Sequence, residues 1–120
     1  MRLFSSPAGE HPVTAMLRHM EDGRFADAGK ALEGYEGGFL PPPHALWHLG
    51  RHLFRSGATK QAKLALKLFV DLYHGHADRA QVLHDLARVH VALGEAEEAK
   101  ALVDEARRLG ARKDAEAPAT

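Results

Sequence analysis

The pattern of apolar and polar positions predicts helices along the chain. Apolar residues recur every three to four positions in six segments, which places them on one face of a helix. No stretch of strand length alternates apolar and polar residues with β-branched side chains. Pro12 and Pro43 are expected to open the first and third helices, because proline fits the first helical turn. Thr59 and Asp78 are expected to cap the fourth and fifth helices, and Gly110 to end the sixth.

Three glycines mark a repeating register. Gly23, Gly57 and Gly94 lie 34 and 37 residues apart, and each is followed by an alanine five residues later. A period of this length indicates stacked helix pairs. We expect the glycines to form the turns within the pairs and the alanines, Ala62 and Ala99 above all, to lie where two helices cross closely. Gly50 is expected at such a crossing, opposite Ala62, because a mid-helix glycine is otherwise unfavourable.

This register resembles that of the tetratricopeptide repeat family. The best match is LWHLGRHLFRSGATKQAKLALKLF at 46–69; residues 83–106 match nearly as well, and a degenerate copy covers about 12–35. The resemblance implies a right-handed α-α superhelix, a solenoid of three antiparallel helix pairs, over residues 10–110. Outside it we expect a flexible N-terminal segment at 1–9 and a disordered tail at 111–120, since neither has periodic large apolar residues.

The resemblance also implies a binding surface. In the family, the first helix of each pair lines a concave groove that takes an extended peptide or a helix of a partner protein. Carried over residue by residue, the third helix contributes His44, Trp47, His48, Arg51, Phe54 and Arg55. The fifth helix contributes Gln81, His84, Asp85, Arg88 and Val91, and the first contributes Glu10, Val13, Thr14, Leu17 and Met20.

The charge is balanced overall but not locally. The formal net charge is zero, yet residues 37–70 hold no Asp or Glu and five Lys or Arg. Trp47 and Phe54 lie two turns apart with Arg51 between them, a composition typical of interface hot spots. The alternative is that Trp47 packs against a neighbouring helix or the loop at 37–43. We expect an acidic peptide or helix as partner, and neither nucleic acid nor a membrane.

The histidines suggest a metal site only weakly. His44, His48 and His52 lie four residues apart on one helix face, and two imidazoles at that spacing can bind a divalent ion. Further ligands would have to come from His84 or Asp85. A solvated face without metal is the simpler interpretation, so we expect no metal and no cofactor.

Four other histidines are assigned by position. His19 and His90 occupy inner positions, where each is expected to form a hydrogen bond. His74 and His76 are expected on the surface of a linker.

Nothing in the sequence indicates catalysis. The chain has no cysteine, and it has no serine elbow or glycine-rich phosphate loop. We therefore expect an adaptor that binds another protein and is not an enzyme. A homo-oligomeric assembly module is the first alternative, because three repeats are the minimum for a stable stack. A histidine-based module that responds to metal or pH is the second. Without a long apolar run, the chain is expected to be cytoplasmic.

Overall fold

The computed structural model describes residues 10–116, with side-chain burial for residues 10–110. The described part forms six helices and no strand, which confirms the all-α class. These helices are α1 (Pro12–Glu21), α2 (Phe25–Leu32), α3 (Pro43–Arg55), α4 (Thr59–Leu72), α5 (Arg79–Ala92) and α6 (Ala96–Glu116). Pro12 and Pro43 begin α1 and α3, as expected. The segment predicted to be flexible, residues 1–9, lies outside the described residues.

Three turns of the same design join α1 to α2, α3 to α4 and α5 to α6. Each has three residues, and the middle one is a glycine in the left-handed region, Gly23 (φ 74°), Gly57 (φ 91°) or Gly94 (φ 79°). The residue after each glycine donates its N–H to a carbonyl five residues earlier, at 2.8–2.9 Å: Arg24 to His19, Ala58 to Leu53 and Glu95 to His90. This is the Schellman motif, which reverses the chain at once. The helices of each pair consequently make the most extensive contacts in the fold.

The core lies between the helices at the positions that the periodicity predicts. In the middle of the chain, α3 and α4 contribute side chains that are at most 1% exposed, listed here in chain order: Leu46, Leu49, Leu53, Ala62, Ala65, Leu66 and Phe69. From α5, Val82, Leu83, Leu86 and Val89 pack into the same cluster. Val13, which the resemblance placed in the groove, is instead buried in this core with Met16.

The two helices of the middle pair are in close contact at Gly50. A Cβ atom at this position would lie 2.5 Å from Cδ2 and 2.6 Å from Cγ of Leu66. Glycine is therefore required because the Leu66 side chain of α4 fills the space above it. The sequence predicted the close crossing but assigned the contact to Ala62, whereas Leu66 makes it.

The helix ends differ from the sequence prediction in several places. Neither α4 nor α5 has a side-chain cap: Ala58 precedes α4, and Asp78 occupies the capping position of α5 without making the bond. Gly110 does not end α6, which continues to Glu116. One glycine costs a helix only about 1 kcal/mol, too little to stop it alone. Residues 111–116 of the predicted disordered tail are therefore helical, and residues 117–120 lie outside the described part. Also, α2 ends at Leu32 instead of near Tyr35.

Two glycine-to-alanine changes in helices should have opposite effects. Gly50→Ala should destabilise the fold by about 1–3 kcal/mol, because the new Cβ overlaps Leu66. Gly110→Ala is the control: a Cβ there meets no atom within 4 Å, so it should stabilise by up to about 1 kcal/mol. Denaturant unfolding followed by circular dichroism measures both. Equal effects of the two changes would contradict the close crossing.

Candidate functional site

A continuous surface runs along α3 and the facing side of α5. It consists of two adjoining clefts of about 330 and 200 Å³, which share Arg51 and Arg55. We call it the α3–α5 surface. It brings together eight of the residues expected in the groove, namely His44, Trp47, His48, Arg51, Phe54, Arg55, Asp85 and Arg88. Leu66 forms part of its floor.

Asp85 organises this surface. Its Oδ2 accepts a hydrogen bond of 2.7 Å from Nε1 of Trp47, and its Oδ1 accepts one of 3.0 Å from the guanidinium of Arg88. Nε of Arg51 lies 3.8 Å from Oδ2. The Asp85 side chain is only 16% exposed, and burial of a carboxylate is costly unless donors surround it. Trp47 and Arg51 of α3 and Arg88 of α5 surround the carboxylate with donors. Their interactions with Asp85 in turn hold their own side chains in position.

Trp47 is both packed and accessible. Its ring meets Phe69 of the core in an edge-to-face arrangement, with 6.4 Å between ring centroids. The guanidinium carbon of Arg51 lies 5.7 Å from the ring centroid, within the range of a cation–π contact. The partly buried ring also lines the larger cleft. The packing of Trp47 against neighbouring helices, which the sequence left as the alternative, is therefore confirmed, and the same indole also lines the surface.

The α3–α5 surface carries excess positive charge. It holds three arginines but one carboxylate. Arg51 and Arg88 share Asp85 and keep 54% and 70% of their side chains exposed. Arg55 is exposed and forms no ion pair with another residue of the described part. An acidic ligand would therefore meet cations that internal pairing has not neutralised.

The remaining groove residues lie elsewhere. His84 and Val91 line a further cleft of about 570 Å³ between α5 and α6, which shares Arg88 with the α3–α5 surface. Gln81 is exposed on α5, and Leu17 and Met20 pack against the core from α1. Glu10 pairs with Arg18 at 2.7 Å, which lowers the pKa of its carboxyl group. Neither Gln81 nor Leu17 lines the α3–α5 surface.

The histidines of α3 point to different neighbours. His48 and His52 pack against Phe25 of α2, with ring centroids 5.5 and 3.9 Å away. His44 lies instead beside His76 and Asp78 of the linker between α4 and α5. Among residues 10–110, whose side chains the structure describes, these three form the one group of three or more potential metal ligands that lie close together. His48, His52 and His84, the other histidines that the sequence offered as candidate ligands, are not part of this group.

The expectations for the other histidines met mixed outcomes. His90 is buried and donates from Nδ1 to Oε1 of Glu95 at 2.7 Å, as expected for an inner position. Nζ of Lys63 also donates to Glu95, and with His90 it lowers the pKa of that carboxyl group. Nδ1 of His19 is buried without a hydrogen-bond partner in the described part, so the expectation for His19 is wrong. His76, expected at the surface, packs against Phe69 at 5.0 Å.

Arg79 was missed by the sequence analysis. Its side chain is buried at the start of α5, where Nη1 donates to the carbonyl of Val70 and Nη2 donates to Glu105 at 2.8 Å. It thereby joins the end of α4 to α6. No local pattern identifies such a residue, because its carboxylate partner lies 26 residues away in the chain.

Comparisons with known proteins do not identify a family for this chain. No protein-family model matches the chain, and no curated protein is similar to it at a significant level. Within the described residues, none of the helices has the length and apolar character needed to span a membrane.

Loss of the Asp85 charge should disturb the α3–α5 surface. We expect Asp85→Asn to destabilise the fold by about 1–3 kcal/mol, because Trp47 and Arg88 lose a charged acceptor, and to alter the fluorescence spectrum of Trp47. Asp104→Asn is the control, since Asp104 makes only an exposed pair with Arg107 at 3.6 Å; it should cost under about 1 kcal/mol. Denaturant unfolding followed by fluorescence tests both. An unchanged Trp47 spectrum in Asp85→Asn would contradict this assignment.

Proposed function

We propose that this protein is a non-enzymatic adaptor that binds a peptide or a helix of a partner protein on the α3–α5 surface. The observation that carries the proposal is the Asp85 cluster. It presents the partly buried indole of Trp47 next to two exposed guanidinium groups, in one fixed arrangement. Phe54 and Arg55 add a second aromatic ring and a further guanidinium group along α3.

The physical argument rests on preorganisation. A partner pays less to order Trp47 and Arg88 because Asp85 already orders them. Aromatic and arginine side chains supply most of the binding energy in many interfaces. Guanidinium groups bind carboxylates through paired hydrogen bonds, so acidic side chains are the complementary chemistry. The excess of arginines over carboxylates also speeds the encounter with an acidic partner.

As part of this proposal, the three helix pairs form a right-handed superhelix like that of tetratricopeptide repeats. The three identical Schellman turns and the repeating glycine register support it. So do the contacts of α5 with both α3 and α4, which continue the stack from one pair to the next. We place the activity in the cytoplasm, since a chain without cysteine suits a reducing compartment.

A peptide-display selection tests this function. The wild-type protein should enrich peptides that contain acidic side chains. Arg55→Glu should lower the affinity for the enriched peptides by at least about tenfold, because Arg55 is exposed and free of ion pairs with described residues. Lys60→Glu is the matched control: it makes the same charge change at an exposed position of α4 that lines neither cleft, and affinity should stay within about twofold. Peptides that bind Arg55→Glu as tightly as wild type would contradict the proposed site.

The end of the helical stack favours a second function, assembly of like copies. The lining of the cleft between α5 and α6 includes four charged residues, Arg88, Lys100, Asp104 and Arg107, and also His84, Ala87, Val91 and Val103. The last four follow Trp47, Gly50, Phe54 and Leu66 by 37 positions. On the preceding pair, α5 packs beside the equivalent residues, and Asp85 of α5 accepts the hydrogen bond of Trp47. On the last pair the cleft is open in the described part of the chain, and Val91 is 63% exposed. A helix from a second copy would fit this face.

Sedimentation velocity distinguishes this second function from the first. Wild-type protein should associate as its concentration rises, and Val91→Glu should reduce that association, because it puts a charge into an apolar contact. Ala101→Glu is the control, since Ala101 is exposed on α6 but does not line the cleft. A wild-type chain that stays monomeric at high concentration would exclude assembly and leave peptide binding unaffected.

A further inference from the structure

Three potential metal ligands from two separate segments converge beside the start of α3. His44 lies in the first turn of α3, whereas His76 and Asp78 lie between α4 and α5. One nitrogen of each imidazole and one carboxylate oxygen all lie within 4.8 Å of one another. Nε2 of His44 is 3.7 Å from Oδ2 of Asp78, and Nδ1 of His76 is 3.9 Å from the same oxygen.

The two segments are held together by the protein itself. The hydroxyl group of Tyr73, just after α4, donates to the carbonyl of Pro41, just before α3. Burial of this Tyr73 raises the pKa of its hydroxyl group. The ring of His76 packs between Phe69 and His44, with ring centroids 5.0 and 5.5 Å away. The backbone that carries the three ligands is therefore already in place before any ion binds.

We propose that His44, His76 and Asp78 bind a divalent transition-metal ion of the zinc class. Two imidazoles and one carboxylate are a donor set that suits zinc, and cobalt and nickel bind such sets too. Around a tetrahedral ion with bonds of about 2.0–2.1 Å, neighbouring ligand atoms lie about 3.3 Å apart. The spacings of 3.7 and 3.9 Å to Asp78 thus have to close by about half an ångström, and the two imidazole nitrogens, which lie within 4.8 Å of each other, by up to about 1.5 Å. The exposed ring of His44 is free to make that adjustment.

One hydrogen bond opposes the ion. The backbone N–H of Asp78 donates to Nδ1 of His76 at 3.0 Å, so a metal at Nδ1 has to replace that N–H. The carboxylate of Asp78 makes no hydrogen bond to the first turn of α5, so no capping bond has to be broken when it binds the ion. Three protein ligands leave one coordination position open, as in catalytic zinc sites. The ligand cluster lies at the end of the α3–α5 surface, since His44 belongs to both.

Metal titration of the tag-free chain tests the site. Calorimetry with zinc chloride should show one saturable site per chain, and zinc should raise the melting temperature. Cobalt chloride should quench the fluorescence of Trp47, the single tryptophan, which follows His44 by one helical turn. His76→Gln and Asp78→Asn should each weaken zinc binding by at least about tenfold. His74→Gln, in the same linker but exposed and outside the cluster, is the matched control and should bind as wild type does.

Two results would overturn the proposal. One is the absence of saturable binding tighter than about 1 mM. The other is loss of binding in His48→Gln with retention in His76→Gln, which would assign the ion to the pair of histidines on α3. Circular dichroism without metal verifies that each variant folds. His44→Gln serves as a further variant, because its side chain is 74% exposed and its removal leaves the core intact; it too should weaken zinc binding by at least about tenfold.

Discussion

Two helices joined by only three residues have to lie side by side, and this constraint determines most of the structure. A left-handed glycine in the middle of each turn allows the reversal without strain. Once the helices are paired, the residues at their crossing must be small or interlocking, and Gly50 beneath Leu66 is the tightest example. The stripes that face the partner helix become the core. The remaining stripe of α3, opposite α5, becomes the α3–α5 surface.

That surface depends in turn on one carboxylate. A largely buried charge is tolerated only where donors compensate for lost hydration, and Asp85 has donors from both α3 and α5. The arrangement links consecutive helix pairs through Trp47 of one and Asp85 of the next. It also leaves the guanidinium groups of Arg51 and Arg88 oriented yet exposed. Asp85 of α5 therefore contributes both to the stability of the stack and to the arrangement of the charged groups on its surface.

The sequence predicted features that depend on nearby residues. Helix faces, the turns at Gly23, Gly57 and Gly94, and the closeness of residues on α3 all follow from spacings within a few turns. It failed where the deciding partner lies far along the chain. Arg79 meets Glu105, 26 residues away, and His44 meets Asp78 in the linker between α4 and α5. The prediction for Gly110 was wrong for another reason. Glycine is a local signal for a helix end, but the helix formed by the residues on both sides continues through Gly110 to Glu116.

Departures from local rules coincide here with long-range roles. Asp78 sits where a helix cap is expected, yet its carboxylate faces two imidazoles. Asp85 lies inside a helix, where aspartate is a poor former, and there it binds a tryptophan and an arginine. Natural chains are locally consistent except where another requirement prevails. Both exceptions are carboxylates that contact side chains of α3. Asp78 belongs to the proposed metal site, and Asp85 orients Trp47 and Arg51 on the proposed binding surface. We infer that interactions across the helix pairs, more than the stability of any single helix, account for the residues at these two positions.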